Sequence, residues 1–197
     1  MARRSDHSRD ELREMAIDAA EQLLDQQGIA ALSARKVANA IGYSVGALYL
    51  VFKNLDDLCW HINARTMHQL LQALKSEGDK VDPREILKGY ARAYLFFAEQ
   101  NPHRWSLMFE HQAPDEMVSP AWLEESIAAL FSGVEAQLCS LHPDADEGEV
   151  RFAARTLWSG VHGITILNLR DKLFMAGPDS ALQMTDNLID RYLDGWQ

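Results

Sequence analysis

Apolar residues recur at helical spacing along most of the chain. Ser8 with Glu11 three residues later is a capping-box pattern, and Gly28 marks the end of the first predicted helix. Two short helices follow within residues 33–53, and a fourth runs from a cap at Asn54 to about residue 77. Further helices are predicted at about residues 83–100, 103–111, 120–141, 147–169 and 180–196. No segment alternates apolar and polar residues with period two, so the pattern predicts an all-α fold of about nine helices.

Helix boundaries indicate two domains. The clearest break lies at residues 78–82, and Asp82-Pro83 restarts a helix as N-cap and first helical residue. Ser180, with Gln183 three residues later, is expected to cap the last helix. Because the fourth helix belongs to both halves, we place the division before it. We expect an N-terminal three-helix domain over residues 1–54 and a C-terminal antiparallel helical bundle for ligand binding and dimerisation over residues 55–197.

Residues 33–53 have a pattern that predicts a helix-turn-helix, SARKVANAIGYSVGALYLVFK. Ser33 is an N-cap residue type, and Val37 and Ile41 lie four apart on one helical face. Ala38 is small where the second helix must cross closely, and Gly42 supplies the left-handed conformation of a tight turn. Leu48, Val51 and Phe52 then face inward, which leaves Ser44, Val45, Ala47, Tyr49 and the later Lys53 for the outer face.

The outward positions have the chemistry of a DNA-reading surface. A major groove admits one helix, and residues near its N-terminus reach base edges. Hydroxyl and ammonium groups can donate to phosphate oxygens, small residues allow close approach to bases, and an arginine can reach a base edge. The predicted DNA-binding residues are Ser33, Arg35, Ser44, Val45, Gly46, Ala47, Tyr49 and Lys53.

The segment GALYLVFKNLDDL, preceded by Ser33-Ala34-Arg35 and Gly42-Tyr43, resembles the DNA-binding domain of TetR-family transcriptional regulators. The resemblance covers roughly residues 8 to 60. It departs from the family at Val51, where a second aromatic is frequent, although Val51 can still pack. The resemblance implies a regulator that binds operator DNA. A simple helical hairpin without DNA binding is the competing interpretation.

Composition and charge limit the other function classes. With 197 residues and 47% hydrophobic residues, the chain can bury a sizeable core. No uncharged apolar run is long enough to span a bilayer, and the N-terminus lacks the apolar stretch of a secretory signal. The two cysteines predict no disulfide framework, and we expect a cytoplasmic protein that does not enter a membrane.

The net charge of −10 is unfavourable for binding to DNA, because affinity for DNA comes largely from Lys and Arg. Most of the acidic excess lies outside the helix-turn-helix region, because residues 1–60 hold seven Lys and Arg against nine Asp and Glu. We therefore expect few phosphate contacts per subunit, with affinity recovered by binding as a dimer.

The second half is rich in aromatic residues and methionine, as in a helical bundle with a ligand cavity. For each such residue taken alone, core packing is the more frequent role. As a set they favour an apolar pocket, and the predicted ligand-binding residues are Phe97, Trp105, Met108, Phe109, Trp122, Trp158 and His162.

Residues 157–167, LWSGVHGITIL, resemble the ligand-binding region of one TetR subgroup in which a Trp, a His and a Gly recur at the spacing of Trp158, His162 and Gly163. Trp158 and His162 share a helical face, and His162 is either a polar group of a pocket or a buried histidine that bonds a neighbouring carbonyl. The last two helices lie where the family builds its two-fold interface, so the resemblance implies a homodimer.

Catalytic and metal-binding patterns are weak. Gly42 to Gly46 match the G-x-S-x-G nucleophile elbow around Ser44, but that motif needs a preceding strand, and the residues before it are helical by spacing. No CxxC pair, P-loop or GxGxxG is present, and Cys139 with His142 is a weak metal pair. We therefore expect neither an enzyme nor a metal or other cofactor.

The sequence thus predicts a DNA-binding transcriptional regulator, a homodimeric repressor that releases its operator when a small, largely apolar effector binds the C-terminal bundle. A helical protein-interaction adaptor that keeps the hairpin only for packing is the alternative.

Overall fold

The computed structural model describes residues 7–77, 82–114, 118–177 and 179–196. All regular secondary structure in these residues is helical. The helices are α1 Arg9–Gln27, α2 Ala34–Ala40, α3 Val45–Leu48, α4 Leu55–Lys75, α5 Pro83–Gln100, α6 Pro102–Glu110, α7 Ala121–Leu141, α8 Glu147–Leu169 and α9 Ser180–Gly195, with a short 3₁₀ turn at Ile29–Ala31. The all-α expectation of about nine helices is confirmed. None of these helices is long and apolar enough to cross a membrane.

Most helix starts follow the expected capping chemistry. Ser8 and Glu11 form a reciprocal capping box at α1, and Gly28 ends that helix with a φ of 74°. Asp146 and Glu149 form a second capping box at α8. Such caps satisfy amide groups that would otherwise lack partners at the first turn.

The predicted cap of the last helix is wrong by one residue. Ser180 is the first residue of α9 rather than its N-cap, and Asp179 occupies the cap position without a side-chain hydrogen bond. The Ser180 hydroxyl instead donates to the carbonyls of Ala176 and Gly177, at 3.1 and 3.0 Å. The serine therefore ties the helix to the loop before it.

The chain forms two compact units. The first comprises Met1–Thr66 with Asn101–Ser119, and the second comprises Met67–Gln100 with Pro120–Gln197. In the first unit α1 packs on α2, α3 and α6. Its core contains residues of α1, the helix-turn-helix and the start of α4, including Leu12, Ala16, Leu24, Val37, Leu48, Phe52, Leu58 and Ile62.

In the second unit α5 packs against α7, α8 and α9, and α8 packs on α7 and α9. Close approach of α8 and α9 depends on Gly160, because a Cβ there would lie 2.5 Å from Cδ2 of Leu188. The compact units assign the first half of α4, and all of α6, to the same body as the helix-turn-helix. The functional division at residues 54 and 55 stays a prediction.

Candidate nucleic-acid interface and effector site

A glycine turn sets the crossing of α2 and α3. The Ser33 Oγ accepts a hydrogen bond from the Lys36 amide at 3.3 Å and thereby caps α2. Gly42 has a φ of 73°, and a Cβ there would meet nothing within 4 Å, so backbone conformation is what requires glycine. The turn closes with the Tyr43 amide donating to the carbonyl of Ala38 at 2.9 Å. Ala38 is fully buried, as expected for a residue beneath a close crossing.

The α3 segment, which we define as residues 44–53, begins with a capped helical turn. Ser44 Oγ accepts from the Ala47 amide at 3.2 Å. Helix α3 itself has four residues, but helical hydrogen bonds continue, with the Phe52 amide donating to the Leu48 carbonyl at 3.1 Å. Leu48, Val51 and Phe52 are buried, as predicted. Their burial fixes which side of the segment faces solvent.

The predicted DNA-binding residues fall into two groups by exposure. Arg35, Ser44, Gly46, Tyr49 and Lys53 are exposed. Ser33, Val45 and Ala47 are half-buried, and Ala47 packs against the core of the first unit. The oxygens of Ser33 and Ser44 already accept amide hydrogen bonds as caps, but each hydroxyl retains its proton for donation to a phosphate oxygen.

Sequence reasoning missed two groups at this surface. Leu50 is 65% exposed, and its position four residues after the exposed Gly46 was a readable signal. The Tyr43 hydroxyl lies 2.7 Å from Nδ1 of His7, a contact between residues 36 apart that no local pattern indicates. It joins the start of α1 to the turn between α2 and α3.

The end of the α3 segment is held by the start of α4. The Lys53 backbone amide donates to Asp57 Oδ2 at 2.8 Å, and the Asp57 amide donates to Asn54 Oδ1 at 2.8 Å. Because these bonds use the backbone of Lys53, its side chain has no part in them. The ammonium group extends from a position that the α4 cap holds in place.

An ion-pair network ties α1 to α4 within the first unit. Arg65 of α4 contacts Glu14 at 2.6 Å, Asp18 at 2.5 Å and Glu21 at 3.3 Å, all on α1. Burial raises the pKa of the Glu21 carboxyl above its ordinary value, while Arg104 and Arg65 act against that rise. The two arginines thus allow a carboxylate to remain in the interior.

Arg104 carries the same network to α6. Its guanidinium makes two hydrogen bonds to Asp25 of α1, at 2.9 and 2.5 Å, and lies 3.8 Å from Glu21. Bidentate pairing of this kind specifies orientation as well as contact. Helix α6 is therefore attached to α1, which also packs on α2 and α3.

In the second unit, Tyr94, Trp158 and His162 form a polar cluster. Trp158 Nε1 donates to the Tyr94 hydroxyl oxygen at 3.1 Å, and that hydroxyl lies 2.8 Å from His162 Nδ1. The Trp158 and His162 rings stack with centroids 5.1 Å apart. Burial raises the pKa of Tyr94 and lowers the pKa of His162, so both groups are neutral near pH 7. In the tautomer with its proton on Nε2, a neutral His162 accepts a hydrogen bond at Nδ1 from the Tyr94 hydroxyl.

The other predicted ligand-binding residues are spread over both units. Phe97 lines an open groove of about 510 Å³ in the second unit, together with Ala93, Phe96 and Leu182. Trp122 is half-buried on α7. Trp105, Met108 and Phe109 lie on α6 in the first unit, where Trp105 is 2% exposed. The structure joins Trp158 to His162, and a shared ligand site for all seven stays a prediction.

Two family models match the chain. The model for bacterial regulatory proteins of the tetR family matches residues 16–59, and the model for the tetracyclin repressor-like C-terminal domain matches residues 87–192. The chain belongs to the TetR family. TetR-family proteins are transcriptional regulators with a DNA-binding helix-turn-helix, not enzymes. The hydrolase reading of Ser44 also lacks its strand, because a helix and a turn precede this serine.

Curated relatives of this TetR-family regulator match over short segments. An HTH-type transcriptional regulator, SAB2452 of Staphylococcus aureus, is 29% identical over 69 residues, 35% of this chain and 37% of that protein. An HTH-type regulator of Haemophilus influenzae is 26% identical over 95 residues, 47% of this chain and 50% of its own length. The chain therefore matches half or less of the length of these relatives.

Solved structures match over nearly the whole chain. A protein from Rhodococcus sp. RHA1 has a TM-score of 0.77 at 21% identity, covering 99% of both chains. FadR from Bacillus subtilis, solved in complex with stearoyl-CoA, has a TM-score of 0.67 at 16% identity, covering 93% of this chain and 99% of its own. At these identities the likeness concerns the fold.

Proposed function

We propose that this TetR-family regulator is a homodimeric, cytoplasmic repressor that leaves its operator when a small, largely apolar effector binds its second unit. The single observation that carries the proposal is the exposed face of the α3 segment. There Ser44, Gly46, Tyr49 and Lys53 are accessible while Leu48, Val51 and Phe52 are buried beneath them. The division at residues 54 and 55 then separates the reading residues from those that sense and dimerise.

A dimer is needed because the reading segment is short. One helix of four residues covers too few base pairs to define an operator, and two copies on half-sites one helical turn apart solve that problem. The last two helices are the proposed interface. On α8, Phe152 is 73% exposed and Leu167 is 43% exposed, which leaves apolar surface for a second copy.

The effector is proposed to meet the cluster of Tyr94, Trp158 and His162. Its hydrogen-bonding groups are neutral and set among aromatic rings, which suits a ligand with an apolar body and one polar group. The FadR neighbour, solved with stearoyl-CoA, supports an acyl ligand as a first candidate. The competing role is a purely structural cluster that holds α5 against α8.

The repressor proposal is tested with the full chain and a duplex that it selects from a random pool. Sedimentation should give a dimer, and mobility shift should give a complex that an effector dissolves. Stearoyl-CoA and free stearate are the first probes. If no compound from a broader set of acyl and aromatic effectors releases the bound DNA, ligand control is refuted. DNA binding by the α3 segment would then still stand.

The position of the effector is tested with paired variants. Trp158→Phe removes the indole donor to Tyr94, and Trp105→Phe makes the same change in the first unit. We expect the increase in melting temperature caused by the effector to fall in Trp158→Phe and to persist in Trp105→Phe. The reverse pattern would move the site to α6.

A further inference from the structure

The exposed face of the α3 segment carries an apolar patch, which we define as Val45, Gly46 and Leu50. Leu50 is 65% exposed, so about two thirds of a large apolar side chain lies in water. Val45 is half-buried and Gly46 is exposed. Gly46 and Leu50 are four residues apart in a helical turn, so they share a face.

This face lacks the side chains that read bases by paired hydrogen bonds. Between Tyr43 and Phe52 the chain has no Arg, Lys, Asn, Gln, Asp or Glu. Arginine recognises guanine, and Asn or Gln recognises adenine, through two hydrogen bonds at once. The α3 segment offers only hydroxyl groups and apolar surface before Lys53.

The backbone at Gly46 leaves room for a close neighbour. A Cβ built there would meet only Ser44 Oγ, at 3.8 Å, which is ordinary contact. Glycine is thus not required by packing within the protein. Its absent side chain instead allows a partner to approach the patch closely, with Leu50 at one side.

We propose that Leu50, with Val45 and Gly46, reads the C5-methyl groups of thymine in the major groove of the operator. Thymine is the base that presents an apolar group in that groove, and aliphatic side chains recognise it by contact. This inference rests on the proposed role of the α3 segment in the groove. It adds that sequence discrimination by this segment is apolar, while phosphates are contacted by hydroxyl groups and Lys53.

The test replaces thymine by deoxyuridine, which removes the methyl group and leaves the hydrogen-bonding edges unchanged. The full chain first selects duplexes from a random pool, and each thymine of a selected duplex is then replaced in both half-sites. Loss of one buried methyl group weakens binding about fourfold, so two half-sites give on the order of fifteenfold. We expect this loss at one or more thymines in each half-site.

Leu50→Ala assigns the effect to the side chain. In this variant the ratio of dissociation constants for deoxyuridine and thymine duplexes should fall to about one at the affected position. Val118→Ala is the matched control, because Val118 is 84% exposed in the same unit but lies outside the α3 segment. It should keep the wild-type ratio.

Four results would overturn the inference. Selected duplexes with no deoxyuridine effect would exclude apolar reading but leave DNA recognition standing. A ratio that persists in Leu50→Ala would assign the patch to another role. The same holds if Leu50→Ala changes the dissociation constant of the dimer and leaves this ratio unchanged. Failure to enrich any duplex would overturn both the proposed DNA binding by the α3 segment and this inference.

Discussion

Replacing Lys53 with alanine isolates one proposed phosphate contact. The Lys53 amide, not its side chain, donates to Asp57, so the variant keeps the cap of α4. The side chain is exposed, so its removal should change the unfolding free energy by less than about 0.5 kcal/mol. Any larger effect on DNA binding then reports the ammonium group.

The magnitude follows from counterion release. One phosphate contact contributes about 0.9 to the slope of log affinity against log salt, so a dimer that loses two contacts should lose about 1.8. Between 50 and 200 mM salt, the affinity of the wild-type protein should therefore fall roughly twelvefold more than that of Lys53→Ala.

Fluorescence anisotropy on a selected duplex over that salt range measures both slopes. Lys75→Ala is the control, because Lys75 is an exposed cation at the end of α4 in the second unit. Its slope should match the wild type. A Lys53→Ala slope equal to that of the control would refute a phosphate contact at this position.

Ser44→Ala should lower the free energy of unfolding by about 1 kcal/mol, because it removes the cap of α3. Ser44→Asp should keep the cap but bind DNA more weakly, because its carboxylate repels phosphate. Equal DNA binding by the wild type and Ser44→Asp in a mobility-shift assay would contradict this prediction. Gly160→Ala should lower the free energy of unfolding, measured with denaturant, by about 1–3 kcal/mol, because the new Cβ meets Leu188. In a Leu188→Ala background the same substitution should be nearly neutral. Additive losses of unfolding free energy in the double variant would contradict the contact. Burial lowers the pKa of His162 below its ordinary value of 6.5, so stability that is present above pH 6.5 should be lost as the pH falls through the lower folded pKa. The melting temperature should therefore depend less on pH in His162→Gln than in the wild type. Equal curves would exclude this histidine as the source of the pH dependence.

The local pattern predicted the helix-turn-helix. Ser33 and Ser44 each accept a hydrogen bond from an amide three residues later, and Gly42 adopts a positive φ within its own turn. Leu48, Val51 and Phe52 are buried at helical spacing. Such features depend on short stretches of chain, so one sequence suffices to read them. The missed exposure of Leu50 was an error of interpretation, since its spacing from Gly46 was available.

Contacts between residues far apart in the chain could not be predicted from local patterns. The bond between Tyr94 and His162 joins positions 68 apart, and the pairing of Arg104 with Asp25 joins positions 79 apart. Trp105 and Trp158, both predicted to contact a ligand, lie in different units, and a ligand site that they share stays a prediction. Composition shows that aromatic residues are plentiful, but the packing of whole helices determines which of them meet, because each helix presents several faces and the chain pattern does not select a partner for each.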